Sequence, residues 1–190
     1  MSTHSLKILA LAVSLGWGVA EQVFARRNRR RSGARERDGG SFLWITLSVA
    51  VGMSLACGFG FAGPGGVEDA WPWQASGLVL LGLGLTIRVY AIRLLAVHFT
   101  SRVTLLPEHR LIRSGPYRWI RHPSYLGQLM ILVGLGAMMA NWVSLFAAPC
   151  FTAFALIARI RLEERAMAEH FGADFESYRR TTWRLLPLVW

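Results

Sequence analysis

Five apolar stretches dominate this chain: Leu6 to Ala25, Phe42 to Ala62, Ala75 to Val97, Pro123 to Ala140 and Trp142 to Ala158. Each is close to the ~20 residues a helix needs to cross a bilayer. Their continuous apolarity lacks the alternation of a barrel strand, and in lipid every backbone amide must find its partner within the segment. The expected fold is therefore all-α, an integral membrane protein with five transmembrane helices followed by a C-terminal amphipathic helix. Hydrophobic residues make up 53% of the chain and charged residues 17%, a balance too apolar for a soluble basic domain.

The net charge of +10 would fit nucleic acid in a soluble chain, but here the arginines fall in blocks between apolar runs. Arg26 to Arg37 follow the first run, Arg102 to Arg121 lie between the third and fourth, and Arg159 to Arg184 follow the fifth. The Gly63 to Trp73 loop and the Asn141 turn hold no Lys or Arg. The positive-inside pattern then puts the arginine blocks in the cytoplasm and the N-terminus outside. The expected location is the inner (plasma) membrane, multi-pass, with chemistry on the cytoplasmic side. Only Lys7 precedes the first run, so it reads as an uncleaved anchor rather than a secretory leader.

Several features have plain readings. Cys57 and Cys150 lie inside apolar runs without metal-ligand spacing and read as small buried residues; no metal site is expected. Gly63-Pro64-Gly65-Gly66 with Trp71-Pro72-Trp73 is a turn beside an interfacial aromatic belt. Gly82, Gly84, Gly134 and Gly136 lack the flanking strand of a nucleotide fold and are expected to let helices approach closely. Arg93 can snorkel from the third run, whereas Arg88 either snorkels or lines a polar cavity. After Ala158 the chain turns amphipathic: Ile160, Met167 and Phe171 share a face, Arg159 stacks one turn before Glu163, and Gly172 fits a C-cap. The tail beyond is expected to lie on the membrane surface.

Taken singly, the polar residues near the fourth and fifth runs are innocent. Arg121-His122-Pro123 is an interfacial arginine before a proline in a helix's first turn, and Glu163-Glu164 is a solvated face paired with Arg159, Arg161 and Arg165. Their order is more informative. Arg113-Ser114-Gly115-Pro116-Tyr117-Arg118-Trp119-Ile120-Arg121-His122-Pro123-Ser124-Tyr125-Leu126-Gly127 precedes a helical hairpin, followed by Glu163-Glu164, Phe171-Gly172 and Phe175-Glu176-Ser177-Tyr178. From His98 to Pro187 this series resembles the isoprenylcysteine carboxyl methyltransferase family.

The resemblance implies a membrane enzyme that uses S-adenosyl-L-methionine and methylates a lipophilic acceptor, such as the C-terminal carboxylate of a prenylated cysteine. It implies that His109, Arg110, Leu111 and Ile112 line the cofactor, that Tyr117 packs near its adenosine, and that His122, Pro123, Ser124 and Tyr125 contact it from the hairpin's start. Glu163 would hold the cofactor's amino group and Arg159 would face the acceptor as the catalytic residue. Residues 1–97 would form three helices with a basic loop, and residues 98–190 the catalytic region. The partners implied are a prenylated or other lipophilic substrate and membrane lipid, with no nucleic acid.

The residue types suit that cofactor, whose ammonium, carboxylate and sulfonium call for a carboxylate, cationic donors and an electron-rich wall. Glu163, His122 with Arg121, and Tyr117 or Tyr125 supply them. A carboxylate acceptor with a pKa of ~3.5 is ionised at neutral pH and needs no general base. Phospholipid amine or small-thiol transfer stays open, as do an NADPH-dependent sterol-reductase-like enzyme and a non-enzymatic scaffold.

Overall fold

The computed structural model describes residues 3–32, 41–95 and 111–186. Among them are six α-helices: α1 (Thr3–Ser32), α2 (Ser41–Ala62), α3 (Ala70–Leu95), α4 (Pro123–Met138), α5 (Trp142–Phe171) and α6 (Ala173–Thr181), with a 3-10 turn at Gly115–Arg118 before α4. Four helices, α1, α2, α3 and α5, are long and apolar enough to cross a membrane. The fourth of the five expected spans, α4, is apolar but only 16 residues long, about 24 Å at the usual helical rise.

Two boundaries differ from expectation. The first helix does not stop at Ala25, because its backbone stays helical through Ser32 and carries the first arginines as further turns. The fifth does not stop at Ala158 either. It runs unbroken for 30 residues to Phe171, so its apolar and amphipathic parts are one rod. Gly172 ends it at φ 51°, a backbone region that favours glycine, and α6 starts at once.

α4 sits at the centre, packed on α3, α5 and α1, while α2 packs along α5. Ile131, Leu132, Leu135 and Met138 of α4 meet Leu81 of α3, Ala148 of α5, Ala56 of α2 and Ala10 of α1 in the core. Trp44, Leu83, Phe146 and Phe154 point outward, as side chains do when lipid is the solvent.

The α3–α4 seam explains the glycines. A Cβ on Gly84 would stand 2.8 Å from the Gly127 carbonyl oxygen, and one on Gly134 would stand 2.7 Å from that of Gly77. Gly77 and Gly84, like Gly127 and Gly134, are one heptad apart, so both close approaches fall on a single antiparallel seam. Gly136 makes the equivalent approach to the Ser144 backbone of α5, whereas Gly82 faces open space and has no packing role.

At the α4–α5 turn, Asn141 caps α5 by accepting from Val143 N and Ser144 N at 2.9 and 3.2 Å. Its amide donates to the Phe59 and Pro64 carbonyls at 3.1 and 2.9 Å, tying the glycine-proline loop to the hairpin.

Candidate active site

At the opposite end of the bundle, α4 begins and α5 passes antiparallel beside it, so residues far apart in sequence converge. Pro123 occupies the first turn of α4, where no N–H is missed, and His122 stands at its N-cap. Arg159, Glu163 and Glu164 reach this end from α5.

One cluster centres on the half-buried Glu163. Its Oε1 accepts from the Tyr125 hydroxyl at 2.6 Å and from Arg159 Nε at 2.7 Å. Arg159 is only 1% exposed despite its charge. The other oxygen, Oε2, has His122 Nδ1 at 3.6 Å. The His122 ring stacks on Tyr125, with centroids 5.6 Å apart and planes 13° from parallel. Its Nε2 lies 3.5 Å from Glu164 Oε1 but has no hydrogen-bond partner. Such a cluster presents a cation, a carboxylate, an imidazole and an aromatic face at one point, which suits a ligand of mixed charge.

Arg88 joins from α3. It is buried, donates from Nη1 to the Ser124 carbonyl at 2.7 Å and stacks over the Trp17 ring at 5.9 Å. Of the two readings open to it, lining a buried polar site is the one observed. Ser124 thus contributes its backbone while its side chain is buried, and Pro123 is buried beside it.

Tyr117 is buried in the 3-10 turn, its hydroxyl 3.3 Å from the Ala91 carbonyl of α3 and its own carbonyl accepting from Tyr178 at 2.6 Å. Burial pushes its hydroxyl pKa far up, with Tyr178, Tyr125 and Glu163 acting in the same direction and Arg88 against it. Leu111 and Ile112 are half-buried at the start of the described loop. His109 and Arg110 lie outside the described residues.

Two expectations are corrected. Glu164 is no solvated partner of Arg161 or Arg165: it is buried, with Oε1 accepting from Arg121 Nε at 2.8 Å and Oε2 from Arg184 Nε at 2.7 Å. Arg121, expected to serve a ligand carboxylate with His122, is committed to Glu164, to the Arg179 carbonyl at 3.1 Å, and to the carbonyl and hydroxyl of Thr182. The tail packs onto the loop before α4. Ile120 and Trp183 form a parallel bridge, with Trp183 N donating to Trp119 O at 2.8 Å, Arg121 N to Trp183 O at 2.8 Å and His122 N to Arg184 O at 3.0 Å. The pairing of Glu164 with Arg184 and the part of Thr182 were not legible, because charged and hydroxyl residues beside a membrane look alike whether solvated or paired. The only signal at Glu164 was a pair of adjacent acidic residues among arginines.

Comparison with known proteins includes this end of the molecule. The model of the isoprenylcysteine carboxyl methyltransferase (ICMT) family matches residues 77–169, starting inside α3 rather than at His98. An uncharacterised Bacillus subtilis protein, YpbQ, is 24% identical over 166 residues, covering 85% of this chain and 96% of its own. A probable protein-S-isoprenylcysteine O-methyltransferase of Oryza sativa subsp. indica is 31% identical over 125 residues, 65% of each chain. The solved structure of the eukaryotic intramembrane Ras methyltransferase (isoprenylcysteine carboxyl methyltransferase) aligns with a TM-score of 0.57 at 22% identity, over 79% of this chain and 50% of that one. This chain therefore spans about two thirds of the rice relative and half of the solved one, and shares the fold of an integral membrane protein.

Proposed function

We propose that this chain is a membrane methyltransferase that esterifies the C-terminal carboxylate of a prenylated cysteine with S-adenosylmethionine as donor, a reading supported by the match of residues 77–169 to the model of the isoprenylcysteine carboxyl methyltransferase family. The observation that carries this reading is the Arg159–Glu163–Tyr125 chain, with a buried cation and a half-buried carboxylate side by side on α5. The donor set fits the cofactor: Glu163 Oε2 is turned from its two bonds and can meet an ammonium, and the stacked His122 and Tyr125 rings offer an electron-rich wall to a sulfonium.

When bound, S-adenosylmethionine supplies a methyl group on a sulfonium whose electron pair returns to sulfur. The chain's own part is positional. Arg159 orients the acceptor carboxylate, which is already ionised and needs no base. Glu163, fixed by Tyr125 and Arg159, holds the cofactor's amino group, and the buried surroundings exclude water, so the two partners meet in line. His109, Arg110, Leu111, Ile112, Tyr117, Pro123 and Ser124 complete the cofactor's surroundings in this reading. Residues 98–190 act as the catalytic region and residues 1–97 as the lipid-facing part. The site faces the cytoplasm of the inner (plasma) membrane.

A second reading rests on His122 Nε2, which lacks a hydrogen-bond partner. That nitrogen could take the proton that an amine or thiol acceptor must lose. The deciding experiment uses detergent-purified protein: S-adenosylhomocysteine should bind and NADPH should not, and a prenylated cysteine should accept methyl at a rate nearly flat between about pH 6 and 8. A steep rise across that interval would move the acceptor to an amine or thiol. Binding of NADPH alone would overturn methyl transfer altogether.

A further inference from the structure

Glu164, buried and bonded on both carboxylate oxygens, is not the carboxylate that faces the proposed donor. Glu164 follows Glu163 on α5, and consecutive helical residues point about 100° apart, so the two carboxylates pair with different arginines while both stand near the His122 ring. Glu164 meets Arg121 and Arg184 with a short bond on each oxygen. Those arginines occupy equivalent places on two paired segments, each directly after a member of the isolated Ile120–Trp183 bridge.

Arg184 has two ends in this arrangement. Its guanidinium is on Glu164 at 2.7 Å, and its carbonyl accepts the backbone N–H of His122 at 3.0 Å. Arg121 works the other way, binding Glu164 and then gripping Thr182 and Arg179 across the tail. Tyr178 adds a bond from α6 to the Tyr117 carbonyl. The stretch Thr182 to Leu185 is thereby buckled over the loop that carries His122, with Glu164 as the pin.

We propose that Glu164 is a positioning residue for methyl transfer: through Arg184 and Arg121 it fastens the C-terminal tail onto the Trp119–His122 loop and so fixes the imidazole beside Glu163. The proposal rests on the functional reading above for its consequence, though not for its geometry. Glu164 touches neither donor nor acceptor in this assignment. Its effect on them is transmitted by a backbone bond at His122 and by the ring contact between His122 and Tyr125.

The test compares the full-length protein with Glu164→Gln, and with Arg184→Gln in case the first variant does not fold. Hydrogen exchange of the His122, Arg121 and Trp183 amides is measured without ligand, alongside S-adenosylhomocysteine affinity and the kcat and KM of transfer. Loss of either charge should speed exchange at those three amides by about tenfold, the equivalent of one charged hydrogen bond. Exchange at Ile131 and Leu156 in the helical core should not change. KM for the donor should rise by a similar factor with kcat little altered, and the double variant should be no worse than the poorer single one. Unchanged exchange at His122 in both variants, or additive losses, would overturn the proposal. Exchange that responds while the unaltered protein binds no S-adenosylhomocysteine would uphold the buckle and reject the methyltransferase reading instead.

Discussion

Glu163 spends one oxygen on Tyr125 and Arg159 and keeps the other toward His122. Replacing it with Gln preserves shape but removes the charge, so S-adenosylhomocysteine affinity should fall by about 1.5 to 3 kcal/mol, the worth of a charge-assisted bond. Isothermal titration reads this directly, and a loss no greater than that of Glu169→Gln would reject the role. Arg159→Leu should behave differently. It leaves Glu163 with less compensation and no less appetite for an ammonium, so donor affinity should hold while methyl transfer disappears. Transfer that survives would remove Arg159 from the acceptor's site. Tyr178 offers a pH test: burial raises its hydroxyl to about 12, against the pull of Arg121 and Arg113. A raised folded pKa contributes stability that is complete below the ordinary tyrosine value of ~10 and is lost as pH climbs through about 12. The melting temperature should therefore be level up to about pH 9 and then fall more steeply in the unaltered protein than in Tyr178→Phe. Among these residues, the sequence made Glu163, Arg159 and His122 stand out by order and spacing. Glu164 was hidden because only tertiary pairing separates a buried clamp from a wetted helix face, and its partner Arg184 comes from a tail with no periodicity to read.

The helices themselves were legible wherever apolar length alone decided the matter, and less so where neighbours did. Apolarity ends at Ala158, but α5 continues because Ile160 is buried, Arg159 and Glu163 are paired, and nothing before Gly172 breaks the helix. The seam glycines were read in part: Gly84 and Gly134 stand out as G-x-G pairs, whereas Gly77 and Gly127 show their purpose only once the α3–α4 register is known. That register gives a sharp contrast. Gly127→Ala would put a methyl 2.7 Å from the Gly84 carbonyl and 2.9 Å from the Arg88 backbone. The helices must part, at a cost of about 1 to 3 kcal/mol. Gly82→Ala meets open space and should gain roughly 0.5 to 1 kcal/mol from helix propensity. Thermal unfolding in detergent separates the two, and equal effects would mean that the seam is not where it is described. Asn141→Ala loses a cap worth about 1 kcal/mol and two further bonds to the outer loop.

At the scale of the whole molecule, the arginine blocks and the fold make a joint statement about sides. Gly65 lies beside the Asn141 turn, and Ser114 precedes the 3-10 turn at the other end of the bundle. With Cys57 and Cys150 replaced, a cysteine at Gly65 should react with an impermeant thiol reagent in intact cells. One at Ser114 should react only after permeabilisation. Labelling of both from one side would refute the topology. The shortness of α4 has a further effect. At 16 residues it falls roughly 6 Å short of a hydrocarbon layer of ~30 Å. The membrane must either pucker inward around α4 or let the polar end of the bundle dip below the plane of the headgroups. Pulling a hydrocarbon tail into water costs about 0.8 kcal/mol for each methylene. Under the proposed function, a reaction centre at that depth would meet a greasy anchor where it already floats, and the work of extraction would never be done.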